Sequence, residues 1–190
     1  MNDESPLTSL SDEELVENIL KTNDPLLFGK LYDRYDKIVY NKCYSFSRSE
    51  AEAKDLTQDV FLMLFVKLRT FKGKSKFKTW LYSFTYNFCT NHVNRNKERK
   101  ISDRAKSLDE EQNGYLIDVP DETFLQFRVE HLKKALCHIS PEDKSLLLLK
   151  YQDEVPIKEL MVLLEISESA VKMRLKRAKN RLVEAYNKSR

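Results

Sequence analysis

The chain has 190 residues, which is enough for one domain or two small ones, and 33% of its residues are charged. With only three glycines and five prolines it has few tight turns, so we predict an all-α fold of two small helical domains. Cys43, Cys89 and Cys137 lack zinc or redox spacing, which predicts reduced core thiols. No apolar run approaches membrane-spanning length and the N-terminus lacks signal-peptide character, so we expect a cytoplasmic protein without direct membrane insertion.

Charge is unevenly distributed along the chain, whose net charge is +3. Residues 67–100 contain ten basic side chains and one acidic one, and residues 167–190 contain eight and two. Between them, residues 101–130 carry a net charge of −5. Two basic blocks divided by an acidic stretch are most simply explained by one polyanion contacted at two places.

Four helices are predicted in the N-terminal half from apolar side chains at helical spacing. The first covers 11–20 with Ser11 as its N-cap, the second follows a proline turn, and the third covers 51–70. The fourth runs from an N-cap at Ser75 to about Glu98. Its predicted inner stripe consists of Phe77, Leu81, Phe84 and Phe88. That of the third helix consists of Leu56, Val60, Met63, Leu64 and Leu68.

Residues 101–122 show no sustained periodicity and predict a flexible acidic linker between domains at 1–100 and 123–190. Three further helices are predicted before the last one, which follows the N-cap Ser167. The first of the three is expected near Phe124, with Leu125, Val129, Leu132, Leu136 and Ile139 facing inward. The last helix has an inner stripe of Val171, Leu175, Ala178, Leu182 and Tyr186.

Residues 156–182 predict a helix, a short turn and a basic helix, the order of a helix-turn-helix motif. Six of the ten residues from Lys172 to Arg181 are basic and none is acidic. A helical hairpin within a bundle is the alternative, but uncompensated positive charge favours phosphate. Arg174, Arg177 and Arg181 are assigned to phosphates. The full predicted DNA-binding set is Ser167, Glu168, Ser169, Lys172, Met173, Arg174, Lys176, Arg177 and Arg181.

Nine of the 20 aromatic residues fall between Phe61 and Phe88, next to a lysine-rich loop. Aromatic faces among basic groups are typical of single-stranded DNA binding, because they stack bases and neutralise the backbone. Such aromatics can equally form a core, and Phe77, Phe84 and Phe88 are assigned there. The better candidates for exposed rings are Trp80, Tyr82 and Tyr86.

The outer face of the third helix carries Asp55, Gln58, Asp59 and Leu62. Polar outer faces usually contact solvent, but a leucine among them indicates a protein partner. The three histidines are scattered and no acidic cluster has metal-binding spacing, so a nucleic-acid enzyme is disfavoured. We predict no catalytic residue, no metal site and no cofactor.

Three segments together resemble bacterial RNA polymerase sigma factors of the extracytoplasmic-function (ECF) group, which keeps only regions two and four of the sigma-70 family. They are DLTQDVFLMLFVKL, FKGKSKFKTWLYSFTYNFCTNHV and ISPEDKSLLLLKYQDEVPIKELMVLLEISESAVKMRLKRAKNRL. The resemblance covers about residues 10–100 and 124–186. Three positions depart from it, since the family often has a small residue at Met161, glycine near Glu165 and threonine at Ala170.

The resemblance implies a role for each segment. Asp55, Gln58, Asp59 and Leu62 would dock on the clamp coiled coil of the polymerase β′ subunit, and the helix-turn-helix would read the minus-thirty-five element and bind the β flap. The loop and fourth helix would capture the minus-ten strand and help to melt it. The residues assigned there are Lys72, Lys74, Lys76, Trp80, Tyr82, Tyr86 and Asn87, with Arg95, Lys97, Arg99 and Lys100 beside them.

The partners implied by the resemblance are core RNA polymerase, promoter DNA and a membrane-anchored anti-sigma factor. The competing hypothesis is a stand-alone helix-turn-helix regulator that binds duplex DNA without polymerase. Such a regulator would not need the aromatic, lysine-rich middle segment.

Overall fold

Eight α-helices form the main regular structure of residues 10–101 and 117–189, the part of the chain that the computed structural model describes. The side chains of residues 99–101 lie outside that description. Every regular element in this part is helical, as predicted. The helices are α1 (Asp12–Thr22), α2 (Pro25–Phe46), α3 (Glu50–Lys67), α4 (Phe77–Ile101), α5 (Val129–His138), α6 (Pro141–Leu147), α7 (Ile157–Leu164) and α8 (Glu168–Lys188). Short 3₁₀ turns cover Leu68–Thr70 and Asp121–Gln126, and a π turn covers Leu148–Gln152.

Side-chain caps define where several helices begin. The Ser11 hydroxyl accepts the Glu14 backbone N–H, and the Glu14 carboxylate accepts the Ser11 N–H at 2.8 Å, which forms a capping box. The hydrogen bond from the Ser11 backbone lowers the pKa of Glu14. Ser140 caps α6, which has Pro141 at its first position. The predicted caps Ser11 and Ser167 are both confirmed.

The chain divides into two compact units, Met1–Cys89 and Thr90–Arg190. In the first unit, α2 packs against both α1 and α3. The predicted stripe of α3 is buried except for Met63, which is 39% exposed, whereas Phe61 is buried. Fully buried side chains of this core include Leu15, Leu31, Val39, Leu56, Val60, Leu64 and Leu81.

In the second unit α8 packs against α5, α6 and α7. All five residues of its predicted stripe, from Val171 to Tyr186, are buried, which confirms the inner face. Tyr186 stacks on Phe127 with ring centroids 3.8 Å apart, and its hydroxyl accepts the Arg128 N–H at 3.0 Å. The C-terminal half of α8 is therefore the apolar centre of this unit.

The predicted inward face near Phe124 is wrong at two positions. Leu125 is 86% exposed and Val129 is 65% exposed. Phe124 and Phe127 pack on the core instead. The register differs because residues 121–126 form a 3₁₀ turn with three residues per turn, so the α-helical period starts only at Val129.

The end of the predicted linker is attached to α8. Asn180 pairs with the backbone of Ile117 in both directions, at 3.0 and 2.8 Å. Lys179 donates to the Val119 carbonyl and to Asp121. Burial raises the pKa of Asp121, but hydrogen bonds from Tyr151 and Lys179 outweigh it and leave that pKa below its usual value. Residues 117–121 are thus docked, contrary to the prediction, and 102–116 lie outside the described residues.

The cysteines differ in environment. Cys43 and Cys89 are buried with their sulfur atoms 3.8 Å apart, and the contact from Cys89 lowers the pKa of Cys43. Cys137, near the end of α5, is exposed, so its predicted core position is wrong.

We expect Glu165→Gly to stabilise the second unit. Glu165 ends α7 in the left-handed region with φ of 54°, which strains a residue with a Cβ. Glycine should raise the free energy of unfolding by about 0.5–1 kcal/mol, measured by urea denaturation. Glu165→Ala keeps the Cβ and serves as the control. Equal stability of the glycine and alanine variants would contradict this explanation.

Candidate nucleic-acid and protein interfaces

The loop between α3 and α4 presents three lysines. Lys72, Lys74 and Lys76 are exposed, and Gly73 adopts φ of 65°, which a side chain would strain. Ser75 was predicted to cap α4, but its hydroxyl instead lies 3.4 Å from the Lys76 carbonyl. The first N–H of α4, on Phe77, donates to the Glu13 carboxylate at 2.8 Å, so a residue of α1 supplies the cap.

An aromatic cluster begins in this loop and continues on the first turns of α4. The Phe71 ring lies 5.5 Å from Trp80 and 5.4 Å from Phe77. Trp80 stacks on Phe84 with centroids 5.4 Å apart and an angle of 21°. Phe77 is buried, whereas the other three are half-buried. We call Phe71, Trp80 and Phe84 the aromatic face, because they combine partial exposure with neighbouring lysines.

Tyr82 and Tyr86 do not belong to the aromatic face. They are only 6% and 1% exposed, so the prediction that they are exposed is wrong. Their rings enclose the buried ammonium of Lys42, at 3.7 Å from the Tyr82 centroid and 4.6 Å from that of Tyr86. Lys42 also donates to the Tyr86 hydroxyl at 3.1 Å. These tyrosines join α4 to α2 through a cation–π contact.

The inner stripe predicted for α4 differs from the observed one after Leu81. The prediction assigned phenylalanines to the core in preference to small polar residues. Phe77 and Leu81 are buried, but the stripe continues through Thr85 and Cys89. The Thr85 hydroxyl donates to the Leu81 carbonyl at 2.8 Å, which satisfies a buried polar group within the helix. Phe84 and Phe88 are consequently only half-buried. The spacing of Phe84 four residues after Trp80 is the signal that could have placed it on the aromatic face.

We expect Tyr86→Phe to destabilise the first unit. Removing the hydroxyl deprives buried Lys42 of a hydrogen-bond acceptor, which should lower the free energy of unfolding by about 1–2 kcal/mol. Urea denaturation measures the change. Tyr44 is 53% exposed, so Tyr44→Phe should stay within about 0.5 kcal/mol of wild type. An equal loss of stability in Tyr86→Phe and Tyr44→Phe would show that the hydrogen bond from Lys42 is not the cause.

The remaining basic and polar candidates of α4 lie further along it. Asn87, Arg95 and Lys97 are exposed. Arg99 and Lys100 have side chains outside the described part of the chain.

The outer face of α3 is exposed at all four predicted positions, Asp55, Gln58, Asp59 and Leu62. Leu62 is 69% exposed, and Val66, one helical turn further on, is 59% exposed. The face therefore changes along α3 from polar to apolar, a composition suited to a protein partner. Sequence reasoning missed Val66, although its spacing of four from Leu62 pointed to the same side.

The turn before α8 has the geometry of a helix-turn-helix. After the left-handed residue Glu165, the Ser167 hydroxyl accepts the Ala170 N–H at 3.3 Å and starts α8. Ser169 and Met173 are exposed on the first turns. Glu168 pairs with Lys172 at 2.6 Å, and this hydrogen bond lowers the pKa of Glu168. The first two turns of α8 thus present a mixed polar surface to solvent.

The positive charge of α8 is partly compensated, contrary to the prediction. Arg181 pairs with Asp143 of α6 at 2.7 Å, and Lys179 is occupied by Asp121. Arg174 and Arg177 are exposed and have no acidic partner among the residues described. Lys176 is half-buried. In the first half of α8, the charge available to a phosphate is therefore concentrated at Arg174 and Arg177.

Two kinds of feature are absent from residues 10–101 and 117–189. No helix there has the length and apolar character needed to cross a membrane. No group of three or more histidine, cysteine or acidic side chains there could hold a metal ion.

Comparison with known families gives two matches. The family model for Sigma-70 region 2 matches residues 31–99, and the model for Sigma-70, region 4 matches residues 130–182. The first match contains α3, the loop and the aromatic face, and the second contains the helix-turn-helix.

Two proteins of Bacillus subtilis are similar along most of the chain. The ECF RNA polymerase sigma factor SigW is 24% identical over 169 residues, covering 86% of this chain and 90% of SigW. RNA polymerase sigma factor YlaC is 28% identical over 161 residues, covering 84% of this chain and 92% of YlaC.

Two solved structures share the fold. The sigma factor RpoE in complex with the anti-sigma factor NepR from Bartonella quintana has a TM-score of 0.58 and 21% identity, covering 86% of this chain and 98% of RpoE. CnrH in complex with the cytosolic domain of CnrY has a TM-score of 0.59 and 17% identity, covering 93% of this chain and 97% of CnrH.

Proposed function

Because this chain belongs to the extracytoplasmic-function group of the sigma-70 family, we propose that it directs core RNA polymerase to specific promoters and helps to melt the minus-ten region. The observation that supports the proposal is that one chain presents two different basic surfaces, one beside aromatic rings and one on a helix-turn-helix. An aromatic face beside lysines suits an unpaired strand, and a helix-turn-helix with exposed arginines suits a duplex. The protein acts as a specificity subunit without a catalytic centre of its own.

Residues 1–100 are proposed to bind core polymerase and the minus-ten element. The outer face of α3 supplies the docking surface for the β′ clamp coiled coil, with Val66 added to the four residues predicted from sequence. The aromatic face stacks on unpaired bases while Lys72, Lys74 and Lys76 neutralise phosphates. Tyr82 and Tyr86 support α4 from within the core and do not meet bases.

Residues 123–190 are proposed to read the minus-thirty-five element and to bind the β flap. Arg174 and Arg177 are the phosphate contacts, because both are exposed and neither has an acidic partner among the described residues. Ser169, Lys172, Met173 and Lys176 face the bases from the first turns of α8, where a recognition helix meets the major groove. Arg181 holds Asp143 and so orients α8 on α6.

The proposed partners are core polymerase, promoter DNA and an anti-sigma factor. The structural relative RpoE is bound to the anti-sigma factor NepR, which supports the last of these. The relative CnrH is bound to the cytosolic domain of CnrY, and we propose a membrane-anchored partner for this chain. We propose that the chain acts in the cytoplasm, because a sigma factor acts on the polymerase.

Run-off transcription with core polymerase on genomic fragments tests the proposal. We expect defined transcripts only when this protein and core polymerase are both present. A gel shift on the selected promoter, with and without core polymerase, provides the contrast with a stand-alone regulator. Tight, specific duplex binding without core polymerase, together with no transcript, would refute the proposal.

A further inference from the structure

Helix α1 contacts both ends of the loop 71–76. Before the loop, the 3₁₀ turn Leu68–Thr70 packs against α1. After the loop, the N–H of Phe77 donates to Oε1 of Glu13 at 2.8 Å, across 64 residues of sequence. The lysine-bearing loop is therefore held at its two ends by a helix distant in the chain.

The contact with Glu13 fixes where α4 begins. Phe77 is the first residue of α4, and the first N–H groups of a helix have no partner within it. A carboxylate at this place satisfies one of them and interacts favourably with the positive end of the helix dipole. Because Ser75 does not cap α4, the cap depends on Glu13.

Glu13 acts from a well-anchored position. The next apolar residues of α1, Leu15 and Val16, are buried in the core. Asp12 accepts hydrogen bonds from the Arg34 guanidinium, at 3.0 Å, and from the Tyr35 hydroxyl. These hydrogen bonds tie α1 to α2, and the Tyr35 ring in turn packs edge-on against Phe77, with centroids 5.9 Å apart. Asp12 and Glu13 thus attach the same turn of α1 to two different helices.

We propose that Glu13 is a positioning residue for the aromatic face. Its carboxylate sets the first turn of α4, and this turn carries Phe77 and Trp80, the two rings against which Phe71 packs. Loss of this hydrogen-bond acceptor removes one restraint on the start of α4 and lets Phe71 and Trp80 leave their common orientation. The functional part of this inference rests on the proposed function of the aromatic face.

The test uses the fluorescence of Trp80, the only tryptophan of the chain. In the full-length protein at 20 °C, Glu13→Ala should raise acrylamide quenching of Trp80 on the order of twofold, because the cap that restrains its turn is lost. Glu13→Gln retains an acceptor oxygen and should remain close to wild type. Asp12→Asn is the matched control, since it removes the charge paired with Arg34 but keeps an oxygen that can accept from Tyr35, whose ring packs on Phe77. It should lower the melting temperature without changing the quenching.

Two results would overturn the positioning role. One is unchanged quenching in Glu13→Ala. The other is increased quenching in Asp12→Asn in proportion to its loss of stability, since that would show a general loosening of α1.

The holoenzyme gives the functional readout on a promoter selected by run-off transcription. Glu13→Ala should slow open-complex formation about three- to tenfold, the kinetic equivalent of a lost cap, with unchanged retention on core polymerase. If wild type opens the promoter and Glu13→Ala opens it equally fast, Glu13 has no positioning role. If wild type itself fails to open any promoter, the proposed function is refuted instead, and the quenching experiment still decides whether Glu13 orients Trp80.

Discussion

Trp80→Ala is expected to slow promoter opening by the holoenzyme by about 10- to 100-fold, because stacking of a base on an aromatic ring contributes about 1–3 kcal/mol. Trp80 is half-buried and stacks on Phe84, so one part of the indole is held in place while another part remains accessible. A ring that is already held in place loses little side-chain entropy when a base stacks on it. Permanganate reactivity of promoter thymines measures the opened strand.

The matched control for Trp80 is Tyr44→Ala, which removes an aromatic ring that is 53% exposed on α2. It should open the promoter at the wild-type rate. Retention on core polymerase and gel shifts of the closed complex should be unchanged in Trp80→Ala, because neither depends on unpaired bases. Equal permanganate reactivity of wild type and Trp80→Ala would rule out the assigned role.

The double substitution Asp55→Ala with Gln58→Ala should weaken binding to core polymerase by about 10- to 100-fold. This factor corresponds to about 0.7–1.4 kcal/mol for each truncated side chain at the centre of an interface. Both side chains are exposed, so the fold should tolerate their loss. Pull-down with core polymerase over a range of concentrations gives the change in affinity.

Asp33→Ala is the control for this substitution, because it also removes one exposed negative charge from the first unit but lies on α2. It should bind core polymerase like wild type. Equal retention of wild type and the double variant would show that the outer face of α3 is not the docking surface. A similar loss in Asp33→Ala would instead indicate an effect of net charge.

The features that were predicted correctly depend on residues that are close together in the sequence. The stripe from Val171 to Tyr186 was identifiable because each step of three or four carries an apolar side chain. The caps at Ser11 and Ser167 were identifiable because each serves an N–H three residues away. The outer face of α3 was identifiable for the same reason, as its residues are related by helical spacing alone.

The features missed depend on residues far apart in the chain. No local pattern shows that Glu13 caps α4 or that Asp143 pairs with Arg181. On α4, ranking residues by hydrophobicity placed Phe84 in the core. Such a ranking ignores the hydrogen bond that Thr85 makes within the helix, which allows its hydroxyl to be buried. Tyr82 and Tyr86 are buried against Lys42 of α2, and this contact between two helices cannot be read from the sequence of α4 alone.

The pairing between Asn180 and Ile117 has an evolutionary consequence. The amide of Asn180 accepts the Ile117 N–H and donates to its carbonyl, so it recognises a peptide group and ignores the side chain, which is 71% exposed. Almost any residue type can therefore occupy position 117, except proline, which has no N–H to donate. The constraint falls on position 180, where the side chain must both donate and accept to make this pair, while Lys179 holds the segment at Val119 and Asp121.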